Sequence, residues 1–492
     1  NVPEAKEDVR RIVDTGTELK IEEIRPVENY VRITGKLYFR ILYLNVSSDP
    51  KPGVLEGKLP FEEMVYAENQ EGEEFYVQNV RIEFTPSLIH SRKLSLRAMV
   101  ELEVGREKLV DEETVTDAEG DVPLYKKMKK VQLLQLEVTK KDTYRIKEEI
   151  TIPGTKESIG QILFTDISER KLELRPGQDE LIVRGELFLF CMYLSGDEKP
   201  DWISQTIPYE GRIPCEGISE EMYFSIRHTM EDTLTDLRMD EDGEMRILGI
   251  EGTLALHMNF YREESVELLE DLYSLQKQCL FDTTEVVCEE LLMQNQSKCK
   301  VTERLSLPEL KTDVLQILHA RGAIQVEHAD RTGEGIRVEG ILHLSFLYLR
   351  GDDAEPYGSW QGMIPFEHQI ECKEMPEETV YNMEQHIEQL QITLVGSESV
   401  EIKGILTFDT FLRRPVKVWT MENVREEPLD LEQLEKRPSI VGHIVQRGED
   451  LWQLAKQYMT TKEGIMEVNG MQNENVKEGD KLLIFKENMS IL

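Results

Sequence analysis

The sequence predicts a mainly β protein, with three tandem β-sandwich-like repeat domains followed by a small α+β module of order βααβ. Three observations carry this. The string GKLYFRILYL at 35–44 recurs as GELFLFCMYL at 185–194 and GILHLSFLYL at 340–349. Each copy leads to a Pro-aromatic-Glu triplet: Pro60-Phe61-Glu62, Pro208-Tyr209-Glu210 and Pro365-Phe366-Glu367. Beyond residue 439 the pattern changes to strand, helix, helix, strand.

The anchoring glycines Gly35, Gly185 and Gly340 stand 150 and 155 residues apart, too far for a solenoid repeat and right for a whole domain. Each repeat opens on a Pro motif. ITIPGTKESIGQIL at 150–163 matches LSLPELKTDVLQIL at 305–318, and VPEAKEDVRRIV at 2–13 is the same motif without its front. The reading therefore expects part of the N-terminus, and any signal peptide, to be absent. The glycine strand follows. Val31, Ile33, Leu37, Phe39, Ile41 and Tyr43 alternate onto one face, as do Ile336, Val338, Leu342, Leu344, Phe346 and Tyr348. That face is core, and Tyr43, Tyr193 and Tyr348 are packing residues on it. The other face turns apolar at the end (Leu42, Leu44), which suits the middle of a covered sandwich. The interior glycine marks a bulge or close backbone approach.

The proline of the triplet belongs on an edge strand or turn, with its aromatic neighbour in the core. Next comes LRAMVEL at 96–102, IEGTLAL at 250–256 and IKGILTF at 402–408, a second alternating strand with a small residue at one fixed place. The connecting stretches 105–149 and 260–304 mix charges with β-branched residues and are expected to add strands. The domain boundaries expected are 1–110, 111–260 and 261–420 for the repeats, 421–438 for a hinge or short helical linker, and 439–486 for the C-terminal module.

In that module Asp450 is a suitable N-cap with Gln453 three residues on, and Leu451, Leu454, Ala455 and Tyr458 share a helix face. Thr460 with Glu463 is expected to start a second helix, which Asn469-Gly470 ends. The strand Lys481–Ile484 closes the unit.

Bulk composition narrows the function. Lys and Arg number 58 against 95 Asp and Glu, and the resulting charge of −37 repels phosphate backbones and anionic membranes. Nucleic acid is excluded as a partner, and no apolar run reaches the ~20 residues of a membrane span. The six cysteines form no Cys-x-x-Cys pair and do not recur between repeats, so free thiols in a reducing compartment are expected, with no zinc site and no cofactor. No Gly-x-Ser-x-Gly, His-Glu-x-x-His or phosphate loop is present, and the nine histidines share no motif. The reading is of a protein that is not an enzyme, with no catalytic or metal residues.

The C-terminal pattern Val445, Gly448, Asp450-Leu451-Trp452, Leu454-Ala455, Tyr458, Asn469, Gly479, Lys481-Leu482 resembles the LysM domain, best known for binding N-acetylglucosamine-containing glycans. The resemblance implies a groove between two loops, here Gly448, Glu449, Asp450 and Leu451, and Gly470, Met471, Gln472 and Asn473. Three departures stand out: Glu449-Asp450 places a second carboxylate at the groove, Met459 replaces the glycine that ends the first helix, and Gly464 lies inside the second helix. Trp452 or Met471 would be the apolar anchors of such a surface, ordinary packing of Trp452 being the alternative. The repeats, in turn, are similar to the SPOCS domain of endospore-forming bacteria, and the whole chain resembles SipL-like spore coat morphogenetic proteins. That resemblance implies a non-enzymatic scaffold in the mother-cell cytoplasm at the forespore surface, whose partners are spore coat proteins including the ATPase of the coat basement layer. The alternative is a wall-associated protein whose LysM module holds peptidoglycan. Carboxylates at the groove favour a basic protein surface.

Overall fold

The computed structural model describes residues 1–487, the side chains of 311–313 excepted. In the first repeat β1 (Val9–Val27), β2 (Tyr30–Asn45) and β3 (Pro52–Tyr66) form an antiparallel sheet in that order, and β4 (Glu73–His90) pairs with β5 (Lys93–Lys108). After β6 (Tyr125–Thr151) the second repeat gives β7 (Ile159–Pro176), β8 (Glu180–Ser195), β9 (Pro200–Pro214), β10 (Tyr223–Met239) and β11 (Met245–Tyr273). Its sheets are β7-β8-β9 and β10-β11-β6. After β12 (Lys277–Ser306) the third gives β13 (Val314–Thr332), β14 (Gly335–Arg350), β15 (Tyr357–Glu371), β16 (Val380–Leu394) and β17 (Ser399–Pro428), in sheets β13-β14-β15 and β12-β17-β16. Of the connecting stretches, 125–149 and nearly all of 260–304 are strand, whereas 109–124 is not.

The repeated string is the central strand of each first sheet. Val31, Ile33, Leu37 and Ile41 are at most 1% exposed, so one strand face is wholly core; each such side chain is worth about 1.5–3 kcal/mol on burial. The triplet and the glycine are one device. Gly35 faces Phe61, Gly185 faces Tyr209 and Gly340 faces Phe366 across the sheet, with the triplet on the edge strand. A Cβ at Gly35 would lie 2.7 Å from the Phe61 ring and 2.4 Å from the Lys20 carbonyl; at Gly340 it would lie 2.6 Å from Phe366 and 2.4 Å from the Gln325 carbonyl. The aromatic ring thus covers a bare stretch of backbone, which only glycine offers. A bulge in the neighbouring strand sits beside each glycine.

The ends of the central strands meet. Val13, Leu163 and Leu318, which hold the same place in the three repeats, share one buried cluster with Leu42, Met192 and Leu347, again equivalent to one another. This is what the late apolar face of each strand covers. Polar groups lock the junction: Arg321 Nη2 donates to Asp14 Oδ1 at 2.7 Å, His319 Nε2 to Asp166 Oδ2 at 2.7 Å, and Arg40 Nη1 to the Thr165 carbonyl at 2.8 Å. Burial by itself would raise the Asp166 carboxyl, but the His319 hydrogen bond and charge, with Arg321, outweigh it and hold the group below the usual carboxylate range.

Contacts divide the chain into two compact units, 1–110 with 136–262 and 292–414, and 111–135 with 263–291 and 415–492. The expected boundaries keep 111–135 and 263–291 with the repeats; by contact these segments group with the C-terminal module. In the second unit Leu133, Leu268 and Val418 form one small cluster and Leu269, Leu272 and Met421 another. The expected hinge or short helical linker 421–438 is strand in its first part and holds a short helix in its second. Met421 is buried and the strand β17 continues to Pro428, its charges turned outward, with Glu426 paired to Lys277 at 3.0 Å. A helix, α1 (Leu431–Glu435), follows, capped by Asp430.

Candidate functional site

The C-terminal module is β18 (Ile440–Ile444), α2 (Leu451–Gln457), α3 (Lys462–Asn469) and β19 (Lys481–Phe485), with β18 antiparallel to β19. Leu451, Leu454, Ala455, Ile465, Leu482 and Ile484 make its core, so the helix face read from spacing is the one that packs. Asp450 Oδ1 caps α2 by accepting from the Gln453 amide at 2.8 Å. The second cap falls one residue later than expected. Thr461 accepts from the Gly464 amide at 3.0 Å, while Thr460 is buried. A Cβ at Gly464 would lie 3.1 Å from Thr461 Oγ1 and 3.3 Å from Thr460 Oγ1, so the glycine inside this helix keeps room for two threonines. Met459, where glycine is usual, takes a left-handed φ of 55°, and Gly470 ends α3 at φ 63°.

The two expected loops differ in how much they leave free. Glu449 turns back onto its own loop, accepting from the Gln446 amide and pairing with His443 Nε2, both at 2.7 Å. The backbone hydrogen bond first and His443 second hold its carboxyl below the ordinary value. Asp450 spends one oxygen on the cap and pairs the other with Lys127 at 3.3 Å. Both carboxylates stand at this loop already paired, Glu449 with His443 and Asp450 with Lys127. Leu451 is 1% exposed and is core. Met471 packs, half-buried, against the same cluster, which brings one residue of each loop together. Gly448, Gly470, Gln472 and Asn473 are exposed.

Trp452 is packing and not an exposed anchor. Its indole N–H donates to Asp271 Oδ2 at 2.8 Å, its ring meets Tyr273 edge-on at 5.0 Å, and Lys456 pairs with Asp271 at 2.7 Å. Tyr273 Oη donates to the Thr460 carbonyl at 2.7 Å and stacks on Tyr125. One side of α2 is thus seated on β6 and β11, and Lys127, Asp271 and Tyr273 belong to the site's surroundings. Sequence reasoning missed them because they lie in segments with no repeat and no motif.

In the first unit, Glu74, Glu107 and His257 are the one group among the described residues spaced to hold a metal ion. Arg227 already supplies the positive charge there, donating to Glu107 at 3.0 Å over the Tyr76 ring. All six cysteines are free thiols.

Residues 8–85, 158–238 and 313–395 match the family model of the SipL SPOCS domain, and residues 443–485 match that of the LysM domain. No curated protein and no solved structure matches the chain.

Proposed function

The chain carries three SipL SPOCS domains and a C-terminal LysM domain, and from that premise we propose that it is a non-enzymatic scaffold of endospore coat assembly, held at the forespore surface by protein contacts. Both domain types are binding and structural modules, and the SipL family implies spore coat morphogenesis. The partners are coat proteins, foremost the ATPase of the coat basement layer. One observation supports the protein-contact reading above others. The LysM module is seated through Trp452, Lys456 and Thr460 on strands of its own unit, which makes it part of a composite surface of β-strands and helices. A protein partner can read such a surface; a short glycan reads only a groove.

A second reading has its own support. Gly448, Gly470, Gln472 and Asn473 remain exposed, neutral and polar, which is the chemistry a neutral sugar meets, and LysM domains suggest peptidoglycan binding. The test uses the full chain. Mixed with insoluble peptidoglycan it is expected to stay in the supernatant, and a fluorescent fusion in sporulating cells is expected to collect at the forespore surface only when the basement-layer ATPase is made. Sedimentation with peptidoglycan that N-acetylglucosamine oligomers compete away would decide for the wall-binding reading.

A further inference from the structure

Strands from all three repeats border one cleft within the first unit. β4, β7, β10, β13 and β16 each stand at the end of their sheet's order, and their residues 77–80, 168–170, 227–229, 322–324 and 383–387 line a space of about 950 Å³. Such a volume lies within the ~300–1,000 Å³ usual for small-molecule sites. Ile324, Met383 and Ile387 give it an aliphatic wall.

The protein itself answers nearly every charge in the lining. Lys141 pairs with Glu74 at 3.3 Å, Asp142 with Lys140 at 2.9 Å, Arg227 with Glu107 at 3.0 Å and His228 with Glu169 at 3.3 Å. His257 and His386 face Glu107 and Asp409, each at 3.7 Å. Two groups are left, one of each sign. Arg170 has the Phe188 ring at 5.9 Å and, among the described residues, no carboxylate or other acceptor; Glu384 has no donor and no ion-pair partner among them. Burial acts on both, lowering the Arg170 guanidinium pKa and raising the Glu384 carboxyl to about 7 against the charges of His228 and Arg227. Glu169 Oε2 and Gln385 Oε1, in the same wall, are buried without a donor, so the wall holds more acceptors than its own donors fill. Arg170 and Glu384 lie on β7 and β16, in repeats whose sheets have all three strands.

We propose that this cleft binds a small zwitterion, a short peptide with both ends free, whose ammonium meets Glu384 and whose carboxylate meets Arg170. The guanidinium takes a carboxylate through two parallel hydrogen bonds. Edge strands offer backbone N–H and C=O groups, the complement of a peptide backbone. The ligand is neutral overall, so the chain's charge of −37 does not repel it.

The experiment is calorimetric titration of the full chain with the tripeptide Val-Ala-Val in three forms: both ends free, N-acetylated, and C-amidated. The free form is expected to bind at least about tenfold tighter than either blocked form. Glu384→Gln is expected to abolish the preference over the acetylated form and keep that over the amide; Arg170→Gln is expected to do the converse. Should a variant fail to fold, the three forms on the unaltered chain decide. No binding at millimolar peptide, equal binding of the three forms, or preferences that both substitutions leave intact overturns the proposal. Binding of the amide as tight as that of the free form overturns it too, by assigning the cleft to a plain amine or to a longer chain's amino terminus.

Discussion

The first and second repeats share their grammar strand for strand up to the second sheet, and there they part. Both place a glycine under an aromatic ring, both turn an apolar strand end into the common junction, and both go on to a second alternating strand. Yet Ile250 is fully buried and Leu96, its equal in position and chemistry, is half-exposed. The difference teaches that a strand's own pattern states which face wants cover, and that the neighbour across the sheet decides whether it is covered.

The comparison breaks most directly by truncating the paired positions. Ile250→Ala is expected to cost about 2–5 kcal/mol, because the deletion leaves a cavity in a closed core. Leu96→Ala is expected to cost about 1 kcal/mol, since water already reaches that row. Urea unfolding of the two variants checks this, and equal losses would remove the contrast. Next in size is the glycine device, which should be common to all repeats. Gly340→Ala and Gly35→Ala each force a Cβ to 2.4 Å from a carbonyl oxygen and are expected to destabilise by about 1–3 kcal/mol. At Gly185 the nearest atoms belong to the Tyr209 side chain and not to backbone, and Gly185→Ala is expected to lose less. A thermal transition that orders them otherwise would show that the backbone approach is not what demands glycine.

A third contrast is electrostatic. His228 in the second repeat is paired with Glu169 at 3.3 Å, and although burial opposes its charge, Glu169 pushes its pKa to about 9. In the first repeat Asn79 follows Gln78 as His228 follows Arg227, and it does not titrate. A folded-state value above the ordinary 6.5 means the stabilisation is full below pH 6.5 and lost as pH rises through about 9. Glu384, raised to about 7 chiefly by burial, adds a loss of the same sign as pH climbs from its ordinary range to 7 and above. Stability is expected to fall by on the order of 1–3 kcal/mol between pH 6 and 9. In His228→Gln with Glu384→Gln the slope should flatten; a slope unchanged by both substitutions would place the titration elsewhere. The smallest effect is at the surface. Glu251→Gln, which unpairs Arg145 and Lys147 of β6, is expected to lower the midpoint slightly, and Arg97→Gln to leave it unchanged.

Much of the candidate site was legible for a local reason. The Asp450 cap, the Leu451-Leu454-Ala455 face and the Gly470 stop depend on residues three or four apart, so spacing alone states them. The fate of Glu449 was not legible, since its carboxylate could face outward or return to Gln446 and His443, and only the loop's folded path chose. Trp452 is a sharper case. Its spacing allows an exposed anchor or a packed ring, and the choice was made by Asp271 and Tyr273, far away in the chain.

The sheet register gave the reason that a glycine and an aromatic travel together. By itself the sequence determined that there are three copies of one β-domain and a βααβ module, where each central strand runs and which of its faces is apolar. These are properties of period two, of period 3.6 and of chain-length offsets, and a single strand or helix carries them whole. Only the tertiary structure decided that 111–135 and 263–291 group with the C-terminal module, that 421–428 is strand, and that Trp452 is buried. Each of these depends on which segment lies alongside which, a choice made by contacts between residues far apart in the chain, whose pairing no local period encodes.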